Sequence, residues 1–311
     1  GGGAKVYMAR EGLFDDVDIA LHWHPSSQNA ASAAAALANI SAKFRFHGVS
    51  AHAAGAPEKG RSSLDGVEAM NAMVNMMREH VPQEARIHYV ITDGGKAPNV
   101  VPDFAEVYYY SRHNSRDVVR SIFNRIVKAG EGAALGTGTT MDYEIINGVH
   151  ELLPNLSLQK LVHDNLSAIG GVTYSAEEKE FAEKIALSLG QTKADLDRAV
   201  NIQPYKETAQ AYGSTDVGDV SFVVPTVGFG TATWVPGTSA HSWQAVAAGG
   251  TSIGEKGMMV AAKTITATVI DLFKNQELIV KAKVEFKNRR GLNFIYKPLL
   301  GNRPPALNYR K

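Results

Sequence analysis

Ten histidines and no cysteine set the metal and base chemistry open to this chain of 311 residues. Disulfides and thiolate metal sites are excluded, so a zinc-like ion would rest on imidazole and carboxylate. His22 and His24 stand at i and i+2 in VDIALHWHP. On a strand such residues share a face, so both can point into one site, or one can be a core or supporting residue. His241 lies in the loop sequence GTATWVPGTSAHSWQ. His24 and His241 both fall where strands of an α/β body would end, and two neutral imidazoles there suit a zinc-like ion. A catalytic metal normally takes at least three protein ligands and a water. Two histidines are therefore half a site, and their spacing is no motif.

Other candidates belong to loops and strand ends. His52, in FRFHGVSAHAAGAPEKG, is flanked by Ser50, Ala51, Ala53 and Ala54, which cannot bury it. It reads as a surface histidine or as a base. Asn99, in APNVVPD, sits between prolines, where its amide could polarise a carbonyl or simply make a turn. Arg112, at the end of AEVYYYSR, suits bidentate capture of a carboxylate, with a surface ion pair as the alternative. Asp216 and Asp219, in GSTDVGDVS, offer metal-ligand or histidine-orienting oxygens. Loop and cap duty is the simpler reading of both.

Positioning these groups requires an α/β body. Residues 3–11 read as a helix stopped by Gly12, and 17–21 as a buried strand delivering His22, Trp23, His24 and Pro25 at its C-terminal end. Sites in open α/β sheets assemble at that end. The Ala-rich run 30–38 is a connector. Residues 40–46 alternate as a strand, and Ser62 or Ser63 caps a helix carrying Leu64, Val67, Met70, Met73, Val74 and Met77 on its core face, ended by Pro82. Strands follow at 86–92 and 105–111, then a helix through Val118, Val119, Ile122, Ile126 and Val127, then a strand at 140–146. That β-α-β-β-α-β order is a ferredoxin-like unit. It occupies residues 39–152 and splits the body into 1–38 and 153–311.

In the second body piece, 156–169 and 176–190 read as helices and 195–206 as a polar surface excursion. A buried strand is expected at 220–227 and a long helix at 253–273, with Met258, Ala261, Ala262, Ile265, Val269 and Leu272 inward. The tail from Asn288, basic and with three prolines, docks across the body or is partly disordered. A net charge of +1 gives no electrostatic case for nucleic acid or an anionic membrane. No apolar run approaches the roughly 20 residues of a membrane span. The chain opens on GGGAK without a targeting signal, so upstream sequence is expected to be missing. A cytoplasmic location is favoured, although a signal peptide further upstream would not be visible.

The stretches FRFHGVSAHAAGAPEKGRSSLDGVEAMNAMVNMMREHV and HYVITDGGKAPNVVPDFAEVYYYSR resemble the lid of the aminoacylase and carboxypeptidase family of co-catalytic metallopeptidases. GGGAKVYMAREGLFDDVDIALHWHP and PGTSAHSWQ are similar to its amidohydrolase branch, within the group of proteins like the B-type chain of p-aminobenzoyl-glutamate hydrolase. The resemblance implies a zinc-peptidase-like catalytic domain, its N-terminal part absent here, and an inserted lid and dimerisation domain. It implies two divalent metals per subunit, zinc or manganese, and a bridging water that attacks an amide carbonyl. His24 then corresponds to a ligand of one metal and His241 of the other, with His22 standing where an apolar residue is usual, which leaves open which histidine binds. His52 corresponds to a lid histidine that reaches across a dimer to the tetrahedral oxyanion. Asn99 and Arg112 match lid positions for the substrate's carbonyl and carboxylate.

In that family a Glu-Glu pair, general base and metal ligand, precedes the GGGAK-type stretch, with further ligands upstream. This chain begins at Gly1 and is expected to be inactive by itself. The expected reaction is hydrolysis of N-acyl or N-aroyl amino acids by a homodimer joined through the lid, or with a related second subunit. The rivals are a non-catalytic homologue that uses the lid for oligomerisation or ligand binding, and a dipeptide-cleaving exopeptidase.

Overall fold

The computed structural model describes residues 3–210, 213–305 and 307. Helix α1 (Ala4–Arg10) opens the chain, and strand β1 (Ala20–Ser26) follows. The expected strand at 17–21 is displaced toward the C-terminus, so His22, Trp23 and His24 lie within the strand and not beyond it. β1 is half-buried along most of its length. A short β2 (Ala34–Ala35) lies in the Ala-rich connector, where Ala31, Ala33, Ala36, Leu37 and Ala38 are all buried.

The lid consists of β3 (Ala38–His47), α2 (Ser63–Met77), β4 (Arg86–Asp93), β5 (Phe104–His113), α3 (Arg116–Thr137) and β6 (Thr140–Val149). Its strands form one antiparallel sheet in the order β4-β5-β3-β6, the ferredoxin-like arrangement the sequence predicts. α2 starts where a hydroxyl cap was expected: Ser62 Oγ accepts from Asp65 N at 3.2 Å. Alternating Phe44 and Phe46 on β3, and Val107 and Tyr109 on β5, meet Val67, Met70 and Val74 of α2 and Ile122 and Ile126 of α3 in a closed core. Phe44 and Tyr109 pack edge-on with centroids 5.7 Å apart. Met70 and Met77 are buried, whereas Met73 stands at the solvent edge of the expected stripe.

The body resumes with α4 (Leu156–Ile169), α5 (Ala176–Ser188), α6 (Asp197–Val200), β7 (Ala209–Gln210), α7 (Val217–Ser221) and β8 (Thr226–Ala232). Three helices complete it: α8 (Trp243–Gly249), α9 (Ser252–Lys274) and α10 (Gln276–Arg290). β1 pairs with β8 in parallel, and β2 with β7. The predicted strand at 220–227 is instead a helix followed by a strand that starts at Thr226. Pro225 has no N–H for the ladder, and its carbonyl accepts from Ala20 N at 2.9 Å where the ladder with β1 opens. The same proline therefore sets where β1 begins.

Two further expectations are refined. Residues 195–206 are mostly exposed, as expected, but are anchored at Ala199, which is fully buried and whose carbonyl accepts from Val172 N and from Asn29 Nδ2. The inward side of α9 is Ile253, Gly254, Gly257, Val260, Ala261, Thr264, Thr268 and Leu272, with Ile265 packed against the same core as expected and Met258 and Ala262 outside. Thr264 and Thr268 can be buried because their hydroxyls donate to the carbonyls of Val260 and Thr264, at 2.9 and 2.8 Å. The tail docks as far as it is described: Leu299 and Leu300 are buried, and Arg303 Nη1 donates to the carbonyls of Ile145 and Ile146 on β6. No helix among the described residues is long and apolar enough to cross a membrane.

Candidate functional site

β1 carries His22 and His24 into a cavity of about 730 Å³, lined also by Ser26, Gln159, Lys206 and Gly228. The i, i+2 spacing thus does place both rings on one site. His22 lies over Gly228, its register partner on β8. A Cβ at that position would stand 2.0 Å from His22 Nε2, so only glycine leaves room for the ring. Burial, followed by the nearby charges of His24 and Lys5, pushes the His22 imidazole down to about 4. His22 is therefore neutral near pH 7, and its buried Nε2 has no hydrogen-bond partner among the described residues.

His24 is exposed, and its Nδ1 is 2.7 Å from the carbonyl of Pro25. A carbonyl only accepts, so in the neutral ring Nδ1 carries the proton and Nε2 the lone pair. Metal-ligating histidines use the same device. His241 lies on the loop between β8 and α8, exposed, at φ 62°, in the left-handed region that non-glycine residues rarely adopt. It is not among the residues that line the cavity.

Neither aspartate of GSTDVGDVS lines the cavity. Asp216 accepts from the backbone N and the Nζ of Lys5. Asp219 is fully buried and accepts from His150 N at 3.0 Å and Tyr296 Oη at 2.7 Å. Burial pushes its carboxyl up to about 7 against the pull of those two donors. Both aspartates brace junctions. Among the described residues no three His, Asp or Glu converge into a group able to hold a metal ion. The cavity offers two imidazole nitrogens, a donor set that fits an ion but does not enclose one.

In the lid, His52 Nδ1 accepts from Ala54 N and Gly55 N at 3.2 and 3.0 Å. The proton of the neutral ring therefore sits on Nε2, as an outward-facing donor. The His52 loop is zipped to the Asn99 loop: Ala53 N donates to the Asn99 carbonyl at 3.0 Å, Val101 N to that of Ala51 at 2.9 Å, and His52 bridges Val100. His52 and Asn99 are thus neighbours, both exposed, at one end of the lid sheet.

Arg112 is at the other end, opposite Asn39 on β3 and Arg86 on β4. From Phe104 to Arg112, β5 runs about 27 Å at the usual strand rise. Within one chain the structure therefore separates the carboxylate-binding candidate from the other two lid candidates. Arg112 lies 5.3 Å from the Tyr110 ring centroid, its Nη1 is 3.4 Å from Ser214 Oγ, and its buried Nε has no partner among the described residues.

Sequence reasoning missed Gln159 and Lys206 at the cavity and Arg86 and His88 beside Arg112. Gln159 carried a signal, as a polar residue beside Leu158 on the buried face of α4; its Nε2 donates to the Gly228 carbonyl at 2.9 Å. The other three depend on which strands and segments become neighbours.

An α/β body with histidines on a parallel strand pair, joined to an antiparallel β-α-β-β-α-β lid, defines a peptidase-type fold with an inserted lid. Comparison with known proteins agrees. Residues 35–135 match the M20 peptidase dimerisation domain. The chain is 37% identical to the B-type chain of p-aminobenzoyl-glutamate hydrolase from Escherichia coli (strain K12), over 98% of this chain and 69% of that protein. It is 27% identical to the Xaa-Arg dipeptidase of Mus musculus, over 92% of this chain and 60% of that one. The crystal structure of aminobenzoyl-glutamate utilization protein from Klebsiella pneumoniae superposes with a TM-score of 0.57 at 19% identity, covering 85% of this chain and 57% of that one. That likeness bears on fold alone. This chain belongs to the M20 peptidase family, in the group of the B-type p-aminobenzoyl-glutamate hydrolase chain. It spans roughly 60–70% of the length of these two curated relatives.

Proposed function

We propose that this chain carries the lid and body residues of a metal-dependent amidohydrolase that cleaves the amide bond of N-acyl or N-aroyl amino acids, of the p-aminobenzoyl-glutamate type. The body is residues 1–38 and 153–311, and the lid is residues 39–152. The observation that carries this reading is the His24 contact: Nδ1–H held by the Pro25 carbonyl, and a free Nε2 lone pair at the cavity beside the neutral ring of His22. A divalent ion, zinc or manganese, two per subunit in the complete site, supplies an activated water when bound. In this reading His24 and His241 are imidazole ligands, one from β1 and one from the loop before α8, with His22 the competitor for the first role.

The lid residues act on the substrate. The outward Nε2–H of His52 donates to the oxyanion as the carbonyl becomes tetrahedral, and the Asn99 amide polarises the same carbonyl. Arg112 holds the carboxylate of the amino-acid half. Because His52 and Asn99 lie at the opposite end of the sheet from Arg112, a complete site draws on two chains, a homodimer through the lid or a pair with a related subunit. The metal-loaded protein in its longest natural form is tested on a panel of N-acyl amino acids, aroyl-glutamates and dipeptides, scored by free amino acid. Release from aroyl-glutamates ahead of dipeptides supports the proposal, and release from dipeptides alone replaces it with an exopeptidase.

A further inference from the structure

The open face of the lid sheet treats its cations in two ways. Toward the Phe104 end each has a carboxylate: Lys43 Nζ meets Glu106 at 2.9 Å, and Arg45 meets Glu106 and Glu144, each at 2.9 Å. At the other end Arg86 and Arg112 stand directly opposite each other in the β4–β5 ladder. Like charges in that relation repel across Cβ atoms about 5 Å apart. Arg86 Nη1 donates to the carbonyls of Gln83 and Ala85, and Arg112 Nη1 reaches only Ser214 Oγ. Among the described residues neither guanidinium has a carboxylate partner.

A cavity of about 490 Å³ opens beside this pair, lined by both arginines with Leu37, Glu84, His88 and Asn114. The unpartnered Nε of Arg112 is buried there, and an unmet buried donor is costly. Burial and the charges of Arg112, Arg78 and Arg86 hold the His88 imidazole below its usual range, so it adds a neutral N–H rather than a third cation. Two guanidiniums without an ion-pair contact among the described residues, one donor unmet and open volume next to them make a site for an anion. One carboxylate would leave one guanidinium unpaired. Two carboxylates at the spacing of a glutamyl or aspartyl group answer both.

We propose that Arg86 is a specificity-determining residue: it takes the side-chain carboxylate of a substrate whose other carboxylate is held by Arg112, selecting dicarboxylic amino acids. This rests on the amidohydrolase reading above, with Arg112 as its carboxylate ligand. Glu84 at the same rim disfavours an anion placed further out, which keeps the second carboxylate close to Arg86 and His88.

The test compares N-(4-aminobenzoyl)glutamate with N-(4-aminobenzoyl)glutamine in the metal-loaded protein in its longest natural form and in the R86Q variant of that form. The expected result is a preference for glutamate that falls about 10–100-fold in R86Q, the worth of a charged hydrogen bond, with the loss in KM rather than kcat. An unchanged ratio overturns the proposal, and so does a loss accompanied by a changed oligomeric mass in light scattering. If neither substrate turns over, the amidohydrolase reading fails separately. Calorimetric binding of N-benzoylglutamate against N-benzoylglutamine then still decides: a glutamate preference abolished by R86Q supports the proposal, and equal affinities overturn it.

Discussion

The backbone N–H of His150, where the chain leaves the lid, donates to Oδ2 of the buried Asp219 at 3.0 Å. Tyr296 in the tail donates to Oδ1 of the same carboxyl at 2.7 Å. One side chain of the body thus ties the last lid strand and the tail together. The two titrating groups respond to pH in opposite senses. Asp219 rises from 3.8 to about 7 on folding, so the folded state holds its proton more tightly and stability falls as pH rises through that span. His150 drops from 6.5 to about 3 through burial first and the nearby Arg116 second, so the unfolded state binds more protons and stability rises with pH over that span. Between about pH 4 and 6.5 the slopes oppose each other.

Removing one partner should expose the other. In Asp219→Asn the falling slope is gone while those of His150 and of His22, itself lowered to about 4, remain, so from about pH 4 to 6.5 stability should climb more steeply than in the parent. Urea midpoints across that range check this, and parallel profiles for the two proteins would contradict it.

Tyr296→Phe leaves one buried carboxyl oxygen without its donor. A loss of about 1–3 kcal/mol is expected, and denaturant unfolding at neutral pH measures it. A change within error would mean that water replaces the hydroxyl and that the tail is loosely held.

Gly228→Ala should disturb the site before the fold. The added Cβ meets His22 Nε2 at 2.0 Å, so the ring must swing away or β8 must shift. Overpacking of this kind costs about 1–3 kcal/mol. A thermal melt reports the cost, and the His22 ring resonances in NMR should move strongly; an unmoved His22 signal would contradict the packing described.

Gly66→Ala tests the lid core in the same way, because its Cβ would sit 2.4 Å from Phe46 Cδ1. A destabilisation of about 1–3 kcal/mol is expected. Its effect on the body cavity should be small, since the lid and body have separate cores.

The lid was legible because its order is local. Phe44 and Phe46, like Val107 and Tyr109, alternate within their own strands, and Ser62 announces a helix three residues before the amide it caps. The body was less so. Pro225 fixes where β1 and β8 pair, although it lies some two hundred positions from β1, and Thr264 and Thr268 are buried by bonds to their own helix that a count of apolar residues overlooks. At the site, the shared face of His22 and His24 could be read from their spacing. The opposition of Arg86 and Arg112 could not, because it is set by strand register, and nothing in the sequence says that His241 lies outside the His24 cavity.

The most direct test is amino-acid release from N-(4-aminobenzoyl)glutamate by the zinc- or manganese-loaded protein in its longest natural form, with His24→Ala beside it. Turnover is expected in the parent and a loss beyond about 100-fold in the variant, since even an outer partner of a metal ligand is worth 10–100-fold, with the fold and oligomeric mass retained. Turnover undiminished in His24→Ala, or no release from any N-acyl or N-aroyl amino acid, would contradict the assignment of His24 as a ligand in a metal-dependent amidohydrolase.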